Sequence, residues 1–422
     1  MLKAGALIYA IFISFLIALT SSSVIFISYS NRVQMDRSFE SDRLLNNAES
    51  GIQILLSKQI IVATDIPKTI DLFGRGIDSV RLEKNAWGLF DIGISKSFSK
   101  RMSQEKIALI GSSANNKDSL AIYLLDMDKP LSVCGDTKIK GNCLLPKAGI
   151  QRAYIEGKNF TGNKFVEGRT FKSEKTLPVL DKDLIKRIQS IAEGTLRTSD
   201  SIQDISFLTD RDSTVRSFTK PTIYYTTKAP LVLDNKILQG NIVIVSSKSI
   251  TIKSTTQISG IQIYAPKIII EEGFSGNLQA FAGDSLVVGK KSKLNYPSVL
   301  AVYRNKNSKD EIRLSLGEDV NCQGILFAGQ DVSDIRKHVL INISKNDNVY
   351  GQVYCTGSVD LKGSVYGSVF CSSFILKTSS SVYENHLLDA TVDITRLPEE
   401  YGGIVLMQEK AIEHKCIVKW LE

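Results

Sequence analysis

Six cysteines and three histidines are the side chains of this 422-residue chain best suited to disulfide, metal or nucleophilic chemistry. Cys134 and Cys143 close the ten-residue segment CGDTKIKGNC, and so short a loop can bring its ends within disulfide distance. Cysteine is also common as a small buried apolar residue, so two thiols are the alternative. We predict the disulfide in an oxidising compartment. The histidines have no metal-ligand spacing: His338, His386 and His414.

A second pair, Cys355 and Cys371, occupies the same place in two near copies, VYGQVYC and VYGSVFC, offset by 16 residues. If the copies stack as neighbouring strands, equivalent Cα atoms lie ~4.8 Å apart, within the roughly 4.4 to 6.8 Å that a disulfide spans. Side chains in such a stack are parallel, which does not suit the ~90° torsion of a disulfide. We therefore predict a buried, stacked and reduced pair.

Carboxylates are the other candidate catalytic groups, because some repetitive β proteins cleave polysaccharides with clustered acids. Asp284, Asp319 and Asp360 do not share one repeat position, and the adjacent Glu271 and Glu272 point to opposite strand faces. Neither a Gly-x-Ser-x-Gly motif nor a phosphate-binding loop occurs. We predict no enzyme, and assign no catalytic, metal-binding or cofactor-binding residue.

The net charge of +8 does not by itself indicate a nucleic-acid partner. The basic residues are dispersed, and their densest cluster is GKKSK at 289–293. A solvated, lysine-rich surface accounts for this distribution, so we predict no nucleic-acid binding. The apolar fraction of 43% and the chain length predict two or more folded domains, or a repeat architecture.

Residues 4–29, AGALIYAIFISFLIALTSSSVIFISY, carry no charge. As a helix these 26 residues are about 39 Å long, enough to cross a ~30 Å hydrocarbon layer. A signal peptide, the competing interpretation, has an apolar region of only about 7 to 15 residues. Apolar periodicity continues beyond the span, so we predict one helix over residues 1–58, its first half in a lipid bilayer. Positive charges on both sides leave its orientation open: Lys3 on one side, Arg32, Arg37 and Arg43 on the other.

The sequence LKAGALIYAIFISFL, followed by RLLNNAESGIQ at 43–53, resembles the N-terminal helix of minor pilins and pseudopilins. The resemblance implies a short leader removed after Gly5, so that Ala6 becomes the first residue. It also implies that the helix packs with other pilin-like or envelope proteins, or with further copies of this chain. Ala10 stands where most such families have a glutamate, which the tip-capping pseudopilins generally lack.

Two further regions follow the helix. Alternation of apolar and polar residues at 77–132 predicts three or four antiparallel strands, in a small domain at 59–145 packed on the helix. The segment DKDLIKRIQSIAEG at 181–194 predicts an amphipathic helix, capped by Asp181 and ended by Gly194, within a connecting region at 146–220.

From 221 to 422 short strands recur with glycine-to-glycine steps such as 20 and 16 residues, which is typical of a parallel β-helix with a C-terminal cap. The pattern resembles the right-handed β-helical domains of bactofilin-like proteins. Strand alternation predicts Val353 and Val369 inside. It places an aromatic ladder outside, either packed under a neighbouring loop or forming a sugar-binding platform: Tyr350, Tyr354, Tyr366 and Phe370.

These features predict a mainly β protein with an N-terminal transmembrane helix, a small antiparallel sheet and a C-terminal parallel β-helix. The function they favour is a single-pass, membrane-anchored structural or assembly protein of the bacterial inner membrane, its C-terminal domain periplasmic or extracellular. One alternative is a membrane-tethered protein that binds or degrades polysaccharide. Another is a cytoplasm-facing scaffold similar to a bactofilin.

Overall fold

The structure is a computed structural model that describes residues 3–57, 62–74, 76–113, 120–178, 182–192, 200–304, 311–330, 339–404 and 415–421. Strands predominate, and the longest helix lies at the N-terminus, so the expected mainly β chain with a long N-terminal helix is confirmed. The chain forms two compact units. The first comprises Met1–Lys84 with Gly93–Ile107, and the second comprises Asn85–Ile92 with Ala108–Glu422.

In the first half of helix α1 (Lys3–Leu56), every side chain described from residue 5 to residue 29 is exposed. The helix is long and apolar enough to cross a membrane. Its polar hydroxyls bond back within the helix: Thr20 Oγ1 donates to the Ile17 carbonyl at 3.0 Å, and Ser23 Oγ to the Leu19 carbonyl at 2.9 Å. Such bonds make hydroxyl groups compatible with apolar surroundings.

The second half of α1 is packed within the first unit. Leu44, Ala48 and Ile52 lie on one helical face and are fully buried. Gly51 brings the helix close to its neighbours, because a Cβ atom there would lie 2.1 Å from Ser95 Oγ. One continuous helix therefore has two surroundings, exposed over its first half and packed over its second.

An antiparallel sheet accompanies α1. Its first strands follow the order β1–β2–β3–β4, and β1 pairs antiparallel with β2. An ion pair of 2.9 Å joins Arg43 Nε on α1 to the buried Asp78 just before β2. The bounds are β1 (Lys68–Ile70), β2 (Ser79–Trp87), β3 (Phe90–Phe98) and β4 (Ser103–Ser113).

The second unit is built mainly of parallel strands. Its first part comprises β5 (Leu120–Leu124), β6 (Leu131–Cys134), β7 (Lys138–Lys140), β8 (Asn142–Leu145), β9 (Ile150–Arg152), β10 (Tyr154–Ile155), β11 (Lys158–Asn159), β12 (Thr170–Lys172), α2 (Lys182–Ala192), β13 (Ser201–Asp204), α3 (Ser206–Thr209), β14 (Ser213–Arg216), β15 (Ile223–Thr227), β16 (Leu231–Leu233), β17 (Ile237–Gly240), β18 (Ile242–Ser246) and β19 (Ser249–Ile252). The remainder comprises β20 (Gln257–Ile270), β21 (Ser275–Val288), β22 (Lys293–Arg304), β23 (Ile312–Leu316), β24 (Asn321–Gln330), β25 (Val339–Ile343), β26 (Asn348–Leu361), β27 (Ser364–Lys377), β28 (Val382–Glu384), β29 (His386–Leu388), β30 (Thr391–Asp393), β31 (Gly402–Gly403) and β32 (Lys415–Leu421).

The long strands pair in parallel in the order β20, β21, β22, β24, β26, β27, and pairing paths through the sheet close on themselves. Because parallel pairing puts like positions side by side, buried residues form columns. One inner column has no exposed surface and holds Ile263, Ala280, Leu300, Leu326, Val353, Val369 and Ile122.

The two near copies align as expected up to one irregularity. Residues 348–355 pair with 364–371 at an offset of 16, which brings Gly351 beside Gly367. Beyond Cys355 a register shift reduces the offset to 15. The repeat predicts that Val359 pairs with Ile375, but in the structure it pairs with Phe374. A bulge of this kind cannot be seen in a repeat that is aligned at constant spacing.

The expected domain boundaries at 145 and 220 need correction. Strand β5, predicted as part of the antiparallel sheet, pairs in parallel with β27 and with β8. Strands β13 and β14, placed in the connecting region, also pair in parallel, with β15 and β17. The parallel sheet thus takes strands from both sides of α2, because pairing depends on contacts that are distant in sequence.

The chain after 400 does not cap the parallel sheet as predicted. Strands β31 and β32 pair with β4, while β5 and β30 pair with the last long strand, β27. The amphipathic helix predicted at 181–194 is α2, observed over Lys182–Ala192. Its expected caps, Asp181 and Gly194, lie outside the described residues.

Candidate functional site

Gly5 and Ala6, where the pilin resemblance implies leader cleavage, lie in the exposed first half of α1. A Cβ atom at Gly5 would have no described atom within 4 Å. The residue is therefore not required for packing within the described chain. Its glycine identity remains consistent with a recognition role for a peptidase, and cleavage stays a prediction.

Cys134 and Cys143 are free, buried thiols in different surroundings. Cys134 lies in a small apolar cluster with Ile155 and Leu376, whereas Cys143 belongs to the main core. The Cys134 thiol donates to the Leu387 carbonyl at 3.2 Å. Burial raises the pKa of Cys134 to about 11 and that of Cys143 to about 12. The two thiols are not joined in this structure, and the disulfide stays a prediction for an oxidising compartment.

Cys355 and Cys371 are paired in register, are fully buried and are both free thiols. The Cys355 thiol donates to the Ser358 carbonyl at 3.2 Å. Burial raises its pKa to about 12, so it carries no thiolate at neutral pH. The pair lies in a column of buried apolar side chains that continues through Ala328 and Leu124. This surrounding indicates packing, not redox chemistry.

Aromatic side chains form a column on the opposite face of the same strands, outside the main core. The rings of Tyr354 and Phe370 lie 6.4 Å apart, and those of Tyr264 and Phe281 lie 4.7 Å apart. All members are nevertheless buried. We name this the outer aromatic column: Tyr264, Phe281, Ala301, Phe327, Tyr354, Phe370 and Tyr123.

The segment before α2 covers the end of the outer aromatic column. Tyr123 Oη donates to the Thr176 carbonyl and Tyr354 Oη to the Pro178 carbonyl, each at 3.1 Å. Phe370 is buried between these two rings, so this end of the column is packed, which is the first of the two roles considered from sequence. These rings are not a free sugar-binding platform.

A cavity of about 700 Å³ lies between α2 and the other end of the outer aromatic column. Ile188 and Gln189 line it on one side, and Tyr264 and Phe281 on the other. Three of its hydroxyl groups already donate within the chain: Ser246 Oγ to the Ala229 carbonyl, Ser247 Oγ to the Lys228 carbonyl and Tyr264 Oη to Gln262 Oε1. The cavity offers few free polar groups to orient a ligand.

A second concavity, which we name the tyrosine groove, has a volume of about 510 Å³. Its walls are fixed by hydrogen bonds. Tyr401 Oη donates to the Gly324 carbonyl, and Tyr296 Oη donates to the Gly402 carbonyl, both at 2.9 Å. The groove is lined by Tyr296, Gln323, Tyr350, Arg396, Pro398, Glu400, Tyr401, Ile417 and Val418.

Tyr350 and Tyr366 share one register position beside this groove, with ring centroids 4.8 Å apart. The Arg396 guanidinium lies 4.4 Å from the centre of the Tyr366 ring, a cation–π contact at the end of the tyrosine pair. Gln323 occupies the equivalent position one strand earlier. These two tyrosines are half-buried, unlike Tyr354 and Phe370.

The carboxylates considered from sequence have separate partners. Asp284 pairs with Arg304 at 2.6 Å, and Glu271 is bound by Lys253. Among the described residues no three His, Cys, Asp or Glu side chains are grouped as a metal site would require.

Sequence reasoning identified Tyr350, which lines the groove, and Tyr366 beside it, but it missed the other lining residues. Gln323 was detectable, because its strand aligns with the two near copies through Gly324. Tyr296, Arg396 and Tyr401 carry no such signal, since the segments that hold them follow no repeat. Only the folded chain brings them together.

No family model, no curated protein and no solved structure matches this chain. The resemblances to pilins and to bactofilin-like domains therefore stay hypotheses, and the function has to be inferred from the geometry of the chain.

Proposed function

We propose that this protein is a membrane-anchored structural or assembly component of the bacterial cell envelope, without enzymatic activity. The observation that carries the proposal is the division of α1. Its first half is apolar and exposed, and its second half is packed in the first unit. Exposed apolar surface of this extent is stable in lipid or in a bundle of like helices, and not in water.

The parallel strands support the structural part of the proposal. We propose that they are turns of a parallel β-helix, because like positions pair repeatedly with a short sequence offset. Such a domain presents a long, rigid flank to other molecules. The resemblance to bactofilin-like domains suggests that copies of this chain also associate with one another. A cytoplasm-facing scaffold differs from our proposal only in the orientation of the chain in the membrane. Reporter fusions at Glu422 distinguish the two.

We expect the full-length protein to stay with membranes in carbonate at high pH, and a chain beginning at Asp36 to be soluble. In the full-length chain, Ile13→Asp combined with Leu16→Asp should release it, because each aspartate near a span centre costs about 2.5 to 3.5 kcal/mol. The control is Met35→Asp with Phe39→Asp, which changes two equally exposed apolar residues beyond the uncharged run. Membrane fractionation measures both. Release of the unmodified protein by carbonate would refute the anchor.

The pilin-like form of the proposal makes a separate prediction about Gly5. We expect a prepilin-type peptidase to cut after this residue, so that mass spectrometry of protein from its native host finds Ala6 first. Gly5→Leu should abolish the cut, while Ala4→Ser should leave it. An intact Met1 on most molecules would remove the pilin-like role and leave a plain anchored scaffold.

A further inference from the structure

We infer that the tyrosine groove is a binding site for an uncharged oligosaccharide segment. The inference goes beyond membrane anchoring and does not depend on it. The groove volume of about 510 Å³ falls in the range of small-ligand sites, roughly 300 to 1,000 Å³.

The first step concerns the free face of Tyr350. One face of its ring is taken by Tyr366, and this is its only ring contact within the described residues. On the opposite side of Tyr350 the register places Gln323, so no aromatic ring occupies the neighbouring position there. An aromatic face attracts the partially positive C–H groups of a sugar ring, because the π system is negative at its face.

The second step concerns the polar groups around that face. Within the described chain, the Gln323 amide and the Glu400 carboxylate have no hydrogen-bond or ion-pair partner, and the Arg396 guanidinium has only the Tyr366 ring as its partner. Together they offer both donors and acceptors. Sugar hydroxyls both donate and accept, so the hydroxyl groups of a saccharide can pair with each of these three kinds of group.

The third step excludes other ligand classes. A purely apolar ligand would cover Arg396 and Glu400 without satisfying them, which costs free energy. A polyanion would be repelled by Glu400, and a cation by Arg396. A neutral, polyhydroxylated ring meets neither penalty, so an uncharged oligosaccharide fits the groove best among these classes; a mixed-charge peptide is the competing ligand that the test distinguishes.

The fourth step concerns rigidity. The segment at 401–404 is held on the strands by a reciprocal pair of bonds: Gln352 Nε2 donates to the Ile404 carbonyl at 3.2 Å, and the Ile404 amide donates to Gln352 Oε1 at 3.0 Å. The side chain of Tyr401 is held in place by its hydrogen bond to the Gly324 carbonyl. A preformed groove loses little conformational entropy when it binds a ligand.

The test uses full-length protein in a polyoxyethylene detergent, because sugar-headgroup detergents would compete. The probes are maltoheptaose, cellohexaose and chitohexaose, measured by calorimetry and by saturation-transfer NMR. We expect at least one to bind. Tyr350→Ala should weaken binding about 3- to 10-fold, and Tyr350→Phe should keep it, because the ring face carries the contact.

The matched control is Tyr154→Ala, which removes a tyrosine that is 67% exposed elsewhere in the second unit. It should leave binding unchanged. Thermal melts identify any variant that is unfolded, and Gln323→Ala then replaces Tyr350→Ala, with the same expected loss. The inference is overturned if no probe binds, or if Tyr350→Ala and Tyr154→Ala behave alike. Preferential binding of a mixed-charge peptide would overturn it too. None of these results bears on carbonate extraction. Failure of the oligosaccharide-binding inference can therefore be distinguished from failure of the proposed membrane anchor.

Discussion

Replacing Val369 with aspartate is expected to unfold at least the strands around β27. Val369 has no exposed surface and lies in register between Val353 and Ile122. An aspartate there would place an ionised carboxylate among aliphatic side chains without a hydrogen-bond partner. Burial of such a group costs several kcal/mol, so we expect a loss of about 4 kcal/mol or more. Thermal melts of the soluble chain that begins at Asp36 should record it.

The matched control is Tyr366→Asp, three residues earlier on the other face of the same strand. Tyr366 is half-buried, and the new carboxylate would lie near the Arg396 guanidinium. We expect a loss of about 1 to 2 kcal/mol, from the ring contacts with Tyr350 and Arg396. Hydrogen exchange in β26 and β27 would show where each variant opens. Equal damage from both substitutions would contradict the inward and outward assignment.

The sequence predicts the column structure well because the signal is local. A period of two within a strand separates inner from outer residues, and a near copy sixteen residues later places like positions together. The amino-acid pattern alone therefore places Val353, Val369, Cys355 and Cys371 inside. The same reasoning predicts α1, since an uncharged apolar segment followed by a helical stripe needs no distant contact.

The sequence does not reveal which strands extend the parallel sheet at its last long strand. Residues 120–124 alternate like an antiparallel strand, and their sequence does not indicate which strand they pair with. Strand β5 pairs with β27, about 250 residues later, because that edge would otherwise leave backbone groups unpaired. Pairing between strands so distant in sequence is established only in the folded chain and cannot be inferred from the local sequence pattern.

The aromatic ladder shows the same limit. Alternation correctly puts Tyr354 and Phe370 outside the core, but it cannot say whether the outside is exposed. Tyr354 is bonded to the segment before α2 and Phe370 is buried beside it, whereas Tyr350 and Tyr366 are half-buried at the tyrosine groove. One ladder in the sequence thus becomes a packed surface and a candidate binding surface.

Replacing Gly367 with alanine is expected to disrupt the parallel sheet although it adds only one methyl group. The backbone at Gly367 has a φ of +155°, and a Cβ atom would lie 1.8 Å from the Gly351 carbonyl oxygen on the neighbouring strand. That oxygen is part of the backbone, so no side-chain rotation can relieve the overlap. Gly351 stands in the same relation to Gly324, where the distance would be 1.9 Å. Glycine therefore recurs in this column because the strands approach too closely for a side chain.

We expect Gly367→Ala to cost about 3 to 5 kcal/mol, from backbone strain and overpacking together. The matched control is Gly283→Ala, also within a long parallel strand, where the nearest atom to the added Cβ would be Pro266 Cα at 3.5 Å. That contact is ordinary, so the control should change stability by less than about 1 kcal/mol and can even stabilise the chain by restricting its unfolded state. Urea unfolding followed by circular dichroism compares the two. If Gly367→Ala proves as mild as Gly283→Ala, the strands at 351 and 367 are further apart than this register allows, and the close stacking of the near copies is wrong.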